Sequence, residues 1–282
     1  MVDISVIMST YKDSSAFLTT CIKSVLNQTY SEIEFIIVAE PDEVNLDLLR
    51  NAERQDKRVK VLINERRLGI AGSRNRAIQH SCGNYIAIID GDDYCDAERL
   101  EKQRNFLETN ADISVVGSNL YLVGKDNVVV GERRYPELHK SIKEYFLLTM
   151  GIANPSVMVR RKDLDEVGSF DPGLMKAEDM ELWLRFLRHG KKMHILQEYL
   201  VYYRLPMGDS SKRNKLHMQN VYSARKKHGR YIWSFRQRVF SMLLWFIISH
   251  IPDGFIDYIL NSNITKRMRM FSAVDPVNHH NV

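Results

Sequence analysis

The sequence predicts an α/β protein: a mostly parallel central sheet flanked by helices on both faces, followed by a helical C-terminal extension. Three observations lead there. Short β-branched apolar runs alternate with segments of helical period from Ile4 to Ile89. The ends of those runs carry polar residues (Ser9-Thr10, Ala39-Glu40 and Asp90), and parallel sheets bind ligands at the carboxyl ends of their strands. Charge is also segregated along the chain. From Ser210 onward twelve Lys/Arg face three aspartates, a net +9, which leaves −4 for Met1–Asp209 out of the total of +5.

Each element follows in order. Ile4–Met8 reads as the first strand, after which Phe17, Leu18, Cys21, Ile22, Val25 and Leu26 recur at helical spacing. Ile33–Val38 is the second strand, followed by a helix over Leu46–Gln55 and a third strand, Val59–Ile63. Gly69–Ser81 reads as a helix entered through a glycine loop, and Tyr85–Ile89 as the fourth strand. Near-continuous apolar strands separated by helices imply a sheet buried on both faces. Beyond Asp96 the pattern predicts a helix (Glu98–Leu107), strands at Ile113–Val123 and Val128–Glu132, and a helix at Lys140–Met150. A strand at Ser156–Arg160, a helix at Glu178–His189 and a strand at His194–Arg204 complete the sheet and give the crevice a second wall.

The composition, 44% hydrophobic and 27% charged over 282 residues, excludes a disordered chain. Three cysteines (Cys21, Cys82, Cys95) without a CxxC pair fit a reducing cytosol rather than a disulfide scaffold. MVDISVIMSTY enters a strand directly, unlike a signal peptide. The longest apolar run, Val239 to Ile251, has thirteen residues, short of the roughly 20 that span a bilayer. A cytoplasmic location is therefore expected. Between Ser210 and Pro252 nine Lys/Arg and no acidic residue interleave with Trp233, Phe235, Phe240, Leu243, Trp245 and Phe246. That mixture suits an anionic membrane surface, or else an amphipathic helix packed on the domain with a solvated basic face. A nucleic-acid partner is not expected, because the body is acidic and no recognition motif occurs.

IDGDDYCD, Ile89–Asp96, packs four aspartates into eight residues after an apolar strand. A solvated Asp-Gly turn accounts for one or two of them. An EF-hand loop is excluded, since Tyr94 and Cys95 stand where a ligand and a glycine are needed. An open divalent-cation site, completed by substrate phosphates, fits their place at the mouth of a parallel sheet.

The ordered series SVIMSTYKDSSAFLTTCIKSVLNQTY, EFIIVAEPDE, RRLGIAGSRNRAI and GNYIAIIDGDD, with GSFDPGLMKAEDMELWLRF and LVYYRLPMGDSS further on, resembles the family 2 glycosyltransferases from about Ile4 to Ser211. The resemblance implies the GT-A fold of nucleotide-diphospho-sugar transferases. It implies a catalytic domain over 1–211, with a nucleotide-binding half (1–110) and an acceptor-binding half (111–211), and a basic helical extension over 212–282. It also implies an inverting, non-processive, metal-dependent transfer of a hexose from a UDP-sugar to a saccharide hydroxyl. The expected acceptor is an undecaprenyl-diphosphate-linked saccharide in O-antigen or capsule assembly, met at the inner face of the membrane. Processive synthesis is not expected, as no Gln-x-x-Arg-Trp follows the base motif.

The roles implied are specific. Asp92 and Asp90 would hold Mn²⁺ or Mg²⁺, with Asp90 also reaching the ribose. Asp93 is either an assistant or a helix cap, and Asp96 is expected to cap the helix near Glu98. Thr10, Arg74 and Arg204 would contact the donor, and Glu178 would be either a donor contact or a second candidate for the base. Asp179 in AEDMELW would be the catalytic base, and Trp183 either stacks on sugar or lies in the core. Arg67 and Arg76 are read as surface charges. Two departures stand out. The usual Asp-Asp-Gly-Ser is here Ala39-Glu40-Pro41-Asp42, so either Glu40 or Asp42 reads the base. No histidine follows Tyr203-Arg204, which leaves Arg204, Lys212 or Arg213 for the diphosphate. The competing readings are a sugar nucleotidyltransferase, whose Gly-x-Gly-Thr-Arg loop is missing, and a catalytically inactive glycan- or membrane-binding module.

Overall fold

The computed structural model describes residues 2–205 and 215–250. Lys212 and Arg213, and the extension beyond 250, lie outside the described residues. Strands β1 (Ile4–Thr10), β2 (Ile33–Ala39), β3 (Val59–Ile63) and β4 (Tyr85–Ile88) form the parallel part of one sheet. Between them run α1 (Ser15–Leu26), α2 (Leu46–Gln55) and α3 (Gly69–Gln79). Then come β5 (Tyr94–Cys95), α4 (Arg99–Thr109), β6 (Ile113–Val123), β7 (Val129–Arg133) and α5 (His139–Tyr145). A 3₁₀ turn (Asn154–Ser156) leads to β8 (Met158–Arg160), α6 (Arg161–Val167), α7 (Glu178–Arg188), β9 (Lys192–Arg204), α8 (Lys215–Ile232) and α9 (Phe235–His250).

The sheet runs β3-β2-β1-β4-β8-β6-β9-β5, with β7 paired outside this path to β6. Its first half matches the apolar pattern, because Ile36, Ile37, Val38, Ile86 and Ala87 are all fully buried. The antiparallel β4–β8 and β8–β6 pairings and the parallel β6–β9 pairing carry the second half into the same sheet.

Two features differ from the sequence pattern, and one open alternative is decided. The helix expected over Lys140–Met150 stops at Tyr145, and Gly151 then passes so close to Phe146 that a Cβ there would sit 2.6 Å from the ring. The short β5 and α6 carry too few residues for periodicity to reveal them. Trp183 is fully buried, with its ring edge-on to Phe186 at 5.5 Å, so it belongs to the core.

The C-terminal helices are part of the domain's packing. Arg225 on α8 is fully buried, bonds the carbonyl of Phe146 and Ser241 Oγ (3.2 Å), and lies 4.5 Å over the Trp245 ring. Burial pulls its pKa down to about 9. Glu181 of α7 meets His228 at 2.9 Å, Lys227 at 3.1 Å and Arg185 at 2.8 Å. Burial opposes its charge, yet these partners hold its pKa down at about 2. Removing one partner of such a buried pair costs about 3–5 kcal/mol, so this junction docks α8 firmly on α7.

Candidate functional site

At the ends of β1 and β2 four carboxylates have distinct tasks. Thr10 is buried at the end of β1 and donates to Asp13 Oδ2 (2.9 Å) and Glu43 Oε2 (3.3 Å). Burial raises the pKa of Asp13. Glu40, 4% exposed, accepts from Gly69 N (2.7 Å), Leu68 N (3.1 Å), Ser73 Oγ (3.1 Å) and Asn64 Nδ2 (3.3 Å). It thus caps the amino end of α3, where unsatisfied N–H groups and the helix dipole favour an anion. Gly69 has φ +69°, a conformation that glycine reaches without a Cβ penalty and that turns consecutive N–H groups onto one carboxylate. Asp42 is exposed and pairs with Lys12 Nζ (3.1 Å) and Tyr11 Oη (3.2 Å). Sequence reasoning missed Glu43, which is buried and accepts from Lys12 N at 2.7 Å. It carries no motif, and only the return of the chain toward β1 reveals it.

Arg74, in the second turn of α3 and 2% exposed, organises the centre. Its Nη2 donates to Asp90 Oδ1 at 2.6 Å and its Nη1 to Glu178 Oε1 at 2.9 Å. With the amide oxygen of Asn154 turned toward the guanidinium, both nitrogens also reach it at 3.2 Å. Burial works against the charge, but Asp90, Glu178 and Asp179 hold the guanidinium's pKa above its ordinary value. Arg76 bonds Ile63 O (2.7 Å) and Asn64 Oδ1 (2.8 Å), so it ties α3 to the end of β3 and is not a surface charge. Arg67 lies 3.9 Å over the Tyr11 ring.

Glu178 and Asp179 open α7, after Ala177 in a left-handed conformation (φ 60°). Burial first, and then the neighbouring Asp179 charge, raise the pKa of Glu178 to about 7 against the pull of Arg74. Desolvation raises that of Asp179 too, again opposed by Arg74. Asp179 accepts from Met180 N at 2.7 Å and is partly buried, whereas Glu178 is buried against Arg74.

The acidic loop is held by Arg204, the last residue of β9. Its backbone N–H donates to Asp93 Oδ1 (2.7 Å), its Nε to the carbonyl of Asp92 (2.9 Å), and its Nη1 and Nη2 to Gly124 O and Asn127 Oδ1 (both 2.6 Å). Its guanidinium also lies 3.8 Å over Phe17. Asp93 is therefore a buried anchor between the loop and β9. Asp96 Oδ1 accepts from Glu98 N at 3.0 Å, just before α4 begins at Arg99. Asp92 is half-buried. Among the described residues no group of three or more His, Cys, Asp or Glu is arranged to hold a metal. Two hard carboxylates, one of them bonded to Arg74, fit only a site that draws its remaining oxygens from a ligand.

Arg74, Asp90, Glu178 and Asp179 share one cleft of about 480 Å³, with Met218 and Trp245 coming from α8 and α9, while Asp92 is not among its lining residues. The sequence places Arg74, Asp90, Glu178 and Asp179 in the site, and the structure brings these four together. Thr10 and Glu40 lie at the neighbouring strand ends, and Arg204 lies under the loop.

Comparison with known proteins places this geometry. Residues 5–168 match the family model for glycosyl transferase family 2. An uncharacterized glycosyltransferase of Methanocaldococcus jannaschii is 34% identical over 224 residues, 78% of this chain and 76% of that protein. The Escherichia coli UDP-Glc:alpha-D-GlcNAc-diphosphoundecaprenol beta-1,3-glucosyltransferase WfgD is 32% identical over 185 residues, 66% of this chain and 70% of its own. The crystal structure of Staphylococcus aureus TarS 1–349 in complex with UDP-GlcNAc superposes with a TM-score of 0.69 at 18% identity, covering 96% of this chain and 79% of that one. That likeness shows the GT-A type of fold.

Proposed function

The chain belongs to glycosyl transferase family 2, and on that premise we propose that it moves a hexose from a UDP-sugar to a hydroxyl of a lipid-diphosphate-linked saccharide, with inversion. One observation carries this reading. A partly buried carboxylate of raised pKa, Asp179, shares a cleft with the Arg74–Asp90 pair that ends the parallel half of the sheet. A base of raised pKa accepts a proton more effectively near neutral pH. Asp179 takes the proton of the acceptor hydroxyl as the hydroxyl attacks the anomeric carbon from the face away from the leaving diphosphate. A single displacement by that route inverts the centre. Arg74 holds Asp90 and Glu178 in place. Arg204 acts on the donor through the loop whose Asp92 carbonyl and Asp93 carboxylate it fixes. With the oxygens of Glu40 occupied by four donors, Asp42 is the carboxylate left to read the base. Mn²⁺ or Mg²⁺, held by Asp92 with Asp90 beside it, would neutralise the departing diphosphate as a Lewis acid.

The acceptor class follows WfgD, whose name states a diphosphoundecaprenol-linked acceptor. The O-antigen biosynthesis glycosyltransferase WbnJ of Escherichia coli, 30% identical over 207 residues, supports surface-polysaccharide assembly. A cytoplasmic protein docked on the inner face of the membrane fits α9. This helix exposes Phe235 (71%), Phe240 (54%), Leu243 (59%) and Ile247 (60%) beside Arg236 and Arg238. No helix among the described residues is long and apolar enough to cross a membrane.

Asp179→Asn tests the reading. Transfer from a UDP-hexose should fall by about 10²–10⁴-fold, the usual contribution of a general base, while UDP binding persists. A variant that transfers at the wild-type rate removes the base, and a wild type that never turns over a UDP-sugar favours the inactive binding module.

A further inference from the structure

Arg133 closes β7 opposite Leu120 of β6 and lines the same cleft as Glu178 and Asp179. Its guanidinium lies 5.6 Å from the centre of the Tyr203 ring. Arg74, which lines the same cleft, is compensated by Asp90 and Glu178, and the exposed Arg134, next to Arg133 in the chain, by Glu132 at 3.5 Å. Among the described residues Arg133 makes no ion pair. Burial works against its charge, yet Tyr135, which also hydrogen-bonds it, with Tyr203 and Tyr145, holds its pKa above the ordinary value. Tyrosines are neutral at neutral pH, and burial pushes that of Tyr203 further up still. The guanidinium therefore keeps its charge in the cleft with no carboxylate among the described residues bonded to it, which leaves it able to fork onto a ligand's anion.

The surroundings narrow the ligand. Arg133 stands on the half of the sheet built by β6, β7 and β9, away from the β1 and β2 ends where Thr10 and Asp42 stand. The same cleft is lined by Met150, Met218, Val221 and Trp245, an apolar wall on the side of the cleft that Arg133 serves. We propose that Arg133 is the contact for the acceptor's own phosphate: an anion subsite for a diphosphate esterified to an aliphatic chain, separate from the donor's diphosphate. The proposal rests on the glycosyltransferase reading. It makes Arg133 a specificity residue that separates lipid-diphosphate-linked saccharides from free sugars, because a guanidinium forks onto phosphate oxygens in two parallel hydrogen bonds.

Calorimetric titration of decyl diphosphate into protein saturated with UDP tests it, with inorganic pyrophosphate titrated in parallel to separate headgroup from chain. The wild type should bind decyl diphosphate with UDP in place, and more tightly than pyrophosphate. Arg133→Gln should weaken decyl diphosphate by about tenfold or more, the loss of a charge-assisted hydrogen bond, and leave UDP affinity within about twofold. Arg133→Lys, which keeps the charge, should fall between them, and unchanged thermal midpoints should accompany both variants. Equal decyl diphosphate affinity in wild type and Arg133→Gln overturns the proposal, as does a wild type whose UDP complex ignores decyl diphosphate. A parallel loss of UDP affinity in Arg133→Gln would assign the residue to the donor instead. Failure of the wild type to bind UDP at all takes down the glycosyltransferase reading and this proposal together.

Discussion

Replacing Arg74 with methionine keeps much of the side-chain volume and removes the guanidinium that three groups share. Glu178 at 2.9 Å has a side chain only 9% exposed, while Asp90 at 2.6 Å is 30% exposed and partly screened by water. Glu178 therefore sets the size of the effect. Leaving a buried carboxylate without its cation costs about 3–5 kcal/mol. For a domain of this length that lowers the melting midpoint by about 6–20 °C. The same change alters the proton chemistry. Arg74 is the cation that opposes the rise in both Glu178 and Asp179, so its loss lets burial and mutual repulsion raise both further. Asp179 must be deprotonated to act as a base, so the rise of transfer rate with pH should move to higher pH in Arg74→Met. Each unit of that displacement corresponds to about 1.4 kcal/mol. Thermal denaturation followed by circular dichroism reads the first effect, and the pH profile of UDP-sugar turnover reads the second. Arg74→Lys should be intermediate, since an ammonium keeps the charge but cannot span Asp90, Glu178 and Asn154 as a planar fork does. An Arg74→Met protein with the midpoint and pH profile of the wild type would refute the reasoning.

Two further outcomes are expected. Glu40→Ala removes the acceptor for four donors at the start of α3 and should lower stability to urea by about 1–3 kcal/mol. Amide exchange at Leu68 and Gly69 should speed up selectively, and unaltered exchange there would show that the cap is dispensable. The double variant Phe240→Glu, Leu243→Glu changes two exposed side chains of α9 and should leave the melting midpoint in place. It should abolish sedimentation with phosphatidylglycerol vesicles, because each apolar side chain withdrawn from the lipid forfeits about 1.5–3 kcal/mol. Persistent binding would place the membrane contact elsewhere.

By itself the sequence determined the parallel half of the sheet, the order of its helices and the four carboxyl or guanidinium groups of the centre. Strand and helix periods are local, and the GNYIAIIDGDD and AEDMELW stretches carry their chemistry in adjacent residues. Tertiary structure decided how those groups are used. Arg74 and Glu178 are 104 residues apart yet meet at 2.9 Å, a pairing that no spacing rule encodes. The sequence favours Glu40 to read the base, with Asp42 as the alternative. Only the approach of α3 to the end of β2 turns Glu40 inward as a cap and leaves Asp42 outside with Lys12. The charge profile of the basic C-terminal stretch leaves open a membrane-surface segment or a helix packed on the domain. The buried Arg225 and the Glu181–His228 contact pack α8 and α9 on the domain, where they wall the cleft. Burial sets what a charge does, and burial depends on which distant segment arrives to cover it.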